Sequence, residues 1–122
     1  MNNDLTEKVV QHVLCCKDEE LRRLNVQSIA RHFKVNRSHL ARVFRAQNGC
    51  KLCDYIHKEK MSRAAAILAN RPELTIKDLA QLMGFASPEY FSRLFKDFHH
   101  TAPNKYRKYK SNNNNNNNNN NQ

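Results

Sequence analysis

Two stretches of this 122-residue chain spell one pattern twice, about fifty residues apart. Ile29 to Arg45 reads I-A-R-H-F-K-V-N-R-S-H-L-A-R-V-F-R, and Leu79 to Lys96 reads L-A-Q-L-M-G-F-A-S-P-E-Y-F-S-R-L-F-K. Aligned from the left, Ile29-Ala30 falls on Leu79-Ala80 and Val35 on Phe85; aligned from the right, Leu40, Arg42, Phe44 and Arg45 fall on Phe91, Arg93, Phe95 and Lys96. The second copy carries one extra residue, in the turn. Each copy is two short apolar-periodic segments joined by a tight polar turn, the pattern a helix-turn-helix requires. Two such units in one small basic chain point towards DNA.

The charge supports this by its placement. Residues 1–36 hold 6 basic and 5 acidic side chains, while residues 37–122 hold 15 and 6, so nearly all of the formal +10 lies in the second group. The positive field begins where the second helix of the first repeat begins, which reads as a phosphate-facing surface. No apolar run approaches the length of a membrane span, and the start M-N-N-D-L-T-E-K lacks the regions of a signal peptide, so a cytoplasmic location is expected.

Periodicity divides the chain into an all-α architecture of about seven helices. Leu5, Val9, Val13 and Cys16 mark a first helix over 5–16, and the polar stretch from Asp18 to Asn25 reads as a loop, partly helical at most. Asn25 can cap a helix carrying Val26, Ile29, Ala30 and Phe33. After the turn Lys34-Val35-Asn36, Asn36 can cap a helix that turns Leu40, Val43 and Phe44 inward and ends at Gly49. Residues 50–70 then run without interruption, and 21 residues at ~1.5 Å rise make a rod of about 31 Å. Thr75 and Asp78 form a shortened capping box ahead of Ile76, Leu79, Ala80 and Met83. Gly84 marks a turn that calls for positive φ. Ser87 caps the next helix, with Pro88 at its first position and Phe91, Leu94, Phe95 and Phe98 facing a core. Pro103 opens a last short helix with Tyr106 and Tyr109.

The expected organisation is two homeodomain-like helix-turn-helix lobes, at 1–49 and 72–110, joined by a long connector helix at 50–71. Residues 111–122 include ten asparagines and a glutamine. With nothing to bury, this tail is expected to be disordered, and no role in binding is assigned to it.

The segment from Thr75 to Arg107 closely resembles the second helix-turn-helix of the AraC/XylS family of bacterial transcription regulators. The match is carried by L-A-Q-L-M-G-F, Y-F-S-R-L-F-K and A-P-N-K-Y-R at their mutual spacing. Asn36 to Leu68, ending K-M-S-R-A-A-A-I-L, looks like the family's other half. The resemblance covers about residues 5–109. This chain departs from it at two places, with His100 where glycine is usual and Ala102 where threonine is usual. The resemblance implies a sequence-specific regulator, an activator that recruits RNA polymerase. Family members usually join this domain to a sensor domain, so the resemblance leaves two forms open: a stand-alone activator, or the output domain of a longer regulator.

Successive major grooves on one face of DNA lie ~34 Å apart, a span the connector rod matches, so one chain is expected to read two of them. In the first recognition helix, inward packing of Leu40, Val43 and Phe44 leaves Arg37, Ser38, Ala41, Arg42 and Arg45 outside. Ser38, Ala41 and Arg42 are also where the resemblance places DNA contacts. Arg42 is the candidate for a bidentate contact to guanine, while Ser38 and Ala41 are small enough to meet a thymine methyl or a water. His39 is either a further contact or a packing residue. In the second recognition helix, Pro88, Glu89, Ser92 and Arg93 are outward and match the family's contact positions, with Arg93 the counterpart of Arg42. Glu89 either accepts from a cytosine amino group or is a solvated carboxylate favoured by the helix dipole. Arg45, Lys51, Lys77 and Lys96 read as phosphate clamps, which set register without specifying sequence. The bland alternative is that some of the lysines are simply solvated.

Four cysteines fall as Cys15-Cys16 and Cys50-x-x-Cys53. The second spacing suits a metal or a redox pair, but adjacent cysteines chelate poorly and all four fit helices, so incidental or structural thiols are expected. His32 and His57 read as exposed, and no histidine pair has metal-binding spacing. Two glycines in the whole chain leave no phosphate-binding loop, and no catalytic constellation is present, so neither a cofactor, a metal nor an enzymatic activity is expected. The competing readings are a cysteine-based redox or metal-responsive regulator and a non-specific architectural DNA-binding protein.

Overall fold

The structure, a computed structural model, describes residues 2–110, which are helical apart from turns and short links. The expected disordered tail lies outside the described residues. In chain order the helices are α1 (Asn2–Cys15), α2 (Asp18–Arg22), α3 (Val26–His32), α4 (Arg37–Asn48), α5 (Leu52–Asn70), α6 (Ile76–Leu82) and α7 (Pro88–His99). An eighth, α8, covers 103–110. The additional helix relative to the sequence expectation is α2, inside the stretch read as a loop. Its five residues place Asp18, Glu19 and Glu20 in the first turn, where carboxylates favour the dipole, and Leu21 is fully buried. That single apolar anchor has no periodicity to display, which is why the sequence pattern concealed it.

The chain forms two compact units that divide between Lys60 and Met61, within α5. In the first unit, Val9 and Val13 of α1, Leu21 of α2, Ile29 and Ala30 of α3, and Leu40 and Phe44 of α4 close one core with Leu52 and Ile56 of α5. In the second, Met61, Ala64, Ala65 and Leu68 of α5 pack with Leu79, Ala80, Met83, Phe85, Phe91 and Phe95. Each fully buried Phe or Leu contributes about 1.5–3 kcal/mol by transfer from water, so losing one would be felt in a core this small.

Local signals set the helix ends. Asn25 accepts from the Ser28 N–H at 2.8 Å while Ser28 Oγ accepts from the Asn25 N–H at 3.0 Å, a reciprocal capping box. Thr75 and Asp78 repeat it at 3.0 and 3.3 Å. The turns after α3 and α6 are also alike. The N–H of Val35 reaches the Ala30 carbonyl and that of Phe85 the Ala80 carbonyl, both at 2.9 Å, while Lys34 and Gly84 bond back to Arg31 and Gln81. This is the Schellman arrangement, with an apolar residue folding back over the helix end. In the second unit, Arg107 of α8 closes the end of α5. Its Nε donates to the Leu68 carbonyl at 3.3 Å and its Nη2 to the Arg71 carbonyl at 3.4 Å. The α8 ring Tyr106 meets Phe95 edge-on at 5.4 Å.

Candidate nucleic-acid interface

Helix α4 begins at Asn36, whose Oδ1 accepts from the backbone N–H groups of Ser38 at 2.8 Å and His39 at 3.2 Å. It ends at Gly49, in the left-handed region at φ 80°, with the Gly49 N–H on the Arg45 carbonyl. Leu40, Val43 and Phe44 are buried, which fixes the rotation of the helix and decides what faces out. Arg37, Ser38, Arg42 and Arg45 are exposed and Ala41 is half-buried. His39 is exposed too, so the packing alternative for it does not hold.

All six residues that the sequence assigned to DNA in this unit come together. Arg37, Ser38, Ala41, Arg42, Arg45 and Lys51 line one open concavity of about 490 Å³, with Val26, Leu52 and Cys53 completing the wall. Lys51 lies ahead of α5, and the turn at Gly49 brings it back beside α4. Arg37, Arg42, Arg45 and Lys51 place four cations on one concave surface, a positive field that favours a polyanion, with the small Ser38 and Ala41 among them. An adjoining concavity of about 440 Å³ shares Val26, Arg37 and Cys53 and includes His57. His57 is half-buried rather than exposed as expected. Burial lowers its pKa first, and the Lys60 charge lowers it further, against a smaller opposing pull from Asp54.

In the second unit, Ser87 Oγ accepts from the Tyr90 N–H at 3.0 Å and Pro88 takes the first helical position of α7. Phe91 and Phe95 are fully buried, so Glu89, Arg93 and Lys96 are exposed along the outer face, with Pro88 and Ser92 half-buried. Lys77 is exposed on α6, near its start. One exposed residue of this face escaped the sequence reading. Tyr90 is 41% exposed, and the Arg93 guanidinium lies 5.7 Å from its ring centroid. Its register counterpart in the first repeat is His39, and that correspondence was the available clue.

No disulfide joins the four cysteines: Cys16 is buried, Cys50 half-buried, and Cys15 and Cys53 exposed. Among the described residues no group of three or more His, Cys, Asp or Glu side chains is arranged to hold a metal. No helix among them is long and apolar enough to cross a membrane.

A family profile described as a helix-turn-helix domain matches residues 29–109, which takes in both repeats and the whole of α5. The chain is 32% identical over 107 residues to the probable transcription factor PqrA of Proteus vulgaris, covering 85% of this chain and 87% of that protein.

The chain belongs to the AraC/XylS family of helix-turn-helix transcription regulators.

The family is one of DNA-binding regulators and not of enzymes, in agreement with the sequence expectation. Among solved structures, the C-terminal domain of AraT, a response regulator from Geobacillus stearothermophilus, superposes with a TM-score of 0.75. It is 26% identical and covers 86% of this chain and 84% of its own. The DNA-binding domain of AdpA, a global transcriptional factor solved with a target DNA, shares the fold at a TM-score of 0.71. It is 21% identical, with 82% of this chain and 90% of that one covered. The chain spans most of PqrA but only 25% to 34% of the length of other curated relatives it matches.

Proposed function

We propose that α4 and α7 are the recognition helices, each entering a major groove, and that one chain reads two successive grooves. The observation that carries this is the gathering of Arg37, Ser38, Ala41, Arg42, Arg45 and Lys51 on one concave surface of the first unit. The same register recurs on α7 as Pro88, Glu89, Ser92, Arg93 and Lys96. In this reading Arg42 and Arg93 hold guanine O6 and N7 with the two prongs of the guanidinium. Arg37, Ser38, Ala41, Pro88, Glu89 and Ser92 shape the rest of the base contacts. Arg45, Lys51, Lys77 and Lys96 bind phosphates and set register.

The 19 residues of α5 make a helix of about 28 Å, against the ~34 Å between successive grooves. A single chain then does what a dimer of simpler helix-turn-helix proteins does, without a palindromic site. Activation of transcription through RNA polymerase is part of the proposal and rests on the family resemblance alone.

Footprinting combined with sedimentation of the complex tests the central reading. One chain protecting about two helical turns is the expected result. Protection confined to one half-turn, or a strict need for two chains per site, overturns it.

A further inference from the structure

Tyr90 is placed unlike an ordinary surface tyrosine. It is 41% exposed on the outer face of α7, beside Phe91, which is fully buried. Its ring is braced from behind by Phe85, edge-on at 5.8 Å and 64°, and Phe85 is itself 8% exposed and packed 5.7 Å from Phe91. Its backbone N–H is tied to the Ser87 cap. The ring is therefore held by the core on one side and open on the other. Arg93, three residues on and so on the same helical face, sets its guanidinium carbon 5.7 Å from the ring centroid.

We infer that Tyr90 is the positioning residue for Arg93, holding the guanidinium on its aromatic face so that the fork is ordered before DNA arrives. An arginine side chain has much rotamer freedom to lose on docking, and an aromatic surface that it stacks on removes part of that loss beforehand. The attraction is between the cation and the ring quadrupole, so it needs a π face at position 90 and not merely bulk. The inference rests on the proposed base-reading role of Arg93.

The test uses the full chain and a duplex selected from a random-sequence pool, with base preference measured at every position for Tyr90→Phe, Tyr90→Leu, Arg93→Ala and the Tyr90→Leu/Arg93→Ala pair. Tyr90→Phe keeps the preference. Tyr90→Leu lowers discrimination about two- to fivefold, the size of an exposed cation–π contact, and only at the positions that Arg93→Ala relaxes. In the Arg93→Ala background the leucine change adds nothing there. Should the leucine variant fail to fold, Tyr90→Met takes its place. The inference is overturned if the leucine change weakens all sequences equally, or if its effect persists undiminished without Arg93. It is overturned alone if Arg93→Ala relaxes a base preference and Tyr90→Leu does not. If Arg93→Ala leaves every preference intact, the base-reading role falls and this inference with it.

Discussion

Lys34 and Gly84 occupy the same point of the two repeats and hold the same left-handed backbone conformation, at φ 57° and 86°. Gly49 and His100 form a second such pair, at φ 80° and 63°, each donating its N–H back to the residue four earlier, Arg45 or Lys96. Each repeat thus ends its first helix and its second in the left-handed region, and each uses glycine at only one of the two ends. His100 stands where the family resemblance expects glycine, and the structure keeps the glycine conformation regardless.

Lys34→Gly and His100→Gly should each stabilise the protein by about 0.5–1 kcal/mol. A side chain in the left-handed region costs about 1–2 kcal/mol, and glycine's larger unfolded-state entropy returns part of the gain. Gly49→Ala should cost about 1 kcal/mol and no more, since a Cβ there meets nothing within 4 Å and only the backbone term applies. Denaturant midpoints of the three variants check both signs. A loss of stability in either glycine variant would show that the lysine or histidine side chain contributes more than its backbone conformation costs.

Base reading and phosphate binding should separate in mutagenesis. Arg42→Ala or Arg93→Ala should cost about 1–3 kcal/mol on the preferred site and relax preference at one or two positions. Replacing Lys51, Lys77 or Lys96 should weaken all sequences about equally and lower the salt slope by up to about one each. Titrations on matched and scrambled duplexes at several salt concentrations decide the matter. A lysine variant that alters preference while the arginine variants do not would reverse the assigned roles.

The first unit should lose stability on acidification. His12 stacks on His32 with ring centroids 4.4 Å apart, and Phe33 meets both rings edge-on. Burial lowers the His12 pKa from its ordinary value near 6.5, His32 lowers it further, and Glu20 partly opposes them. A histidine whose folded pKa is depressed binds its proton more readily when unfolded. Its contribution is therefore intact above about pH 6.5 and is lost as pH falls through the lower folded value. Hydrogen exchange of α1 and α3 amides should accelerate between pH 7 and pH 5, after correction for intrinsic rates, and His12→Phe should flatten that dependence. An unchanged pH profile in the phenylalanine variant would remove His12 from the account.

DNA binding should not require the cysteines. Cys50→Ser/Cys53→Ser should leave affinity nearly unchanged, with or without chelator or mild oxidant, although Cys53 lines the concavity beside Arg37 and Lys51. Stoichiometric zinc in the purified protein, or an oxidant-dependent shift absent from the double variant, would restore a sensing role. Cys16→Ser should cost less than a hydroxyl in an apolar core ordinarily does. The Cys16 thiol already donates to the Val13 carbonyl at 3.2 Å, so a serine hydroxyl finds its acceptor in place, and about 1 kcal/mol or less is expected. Thermal unfolding of that variant gives the number.

The sequence by itself determined the helices other than α2, the caps at Asn25, Asn36, Thr75 and Ser87, and the inward and outward faces of α4 and α7. Those signals are local: an apolar residue every three or four positions, an Asn or Ser one residue ahead, a proline at the first turn. They act within a few residues of one another, so the linear order contains them. The duplication added what no single helix could, because matching positions had to serve matching purposes. The tertiary structure decided the rest. Lys34 takes a glycine's conformation because Val35 must fold back over Ala30, and packing outweighs the local preference of a lysine. Leu21 winds a five-residue helix around one buried side chain. His12 and His32 meet because α1 and α3 share a core, and Arg107 finds the end of α5 because α8 packs against Phe95. Arg37, Ser38, Ala41, Arg42, Arg45 and Lys51 share a concavity because the turn at Gly49 returns Lys51 to the side of α4. Each of these depends on residues brought together by folding rather than by sequence order, and a periodic pattern has no means of recording them.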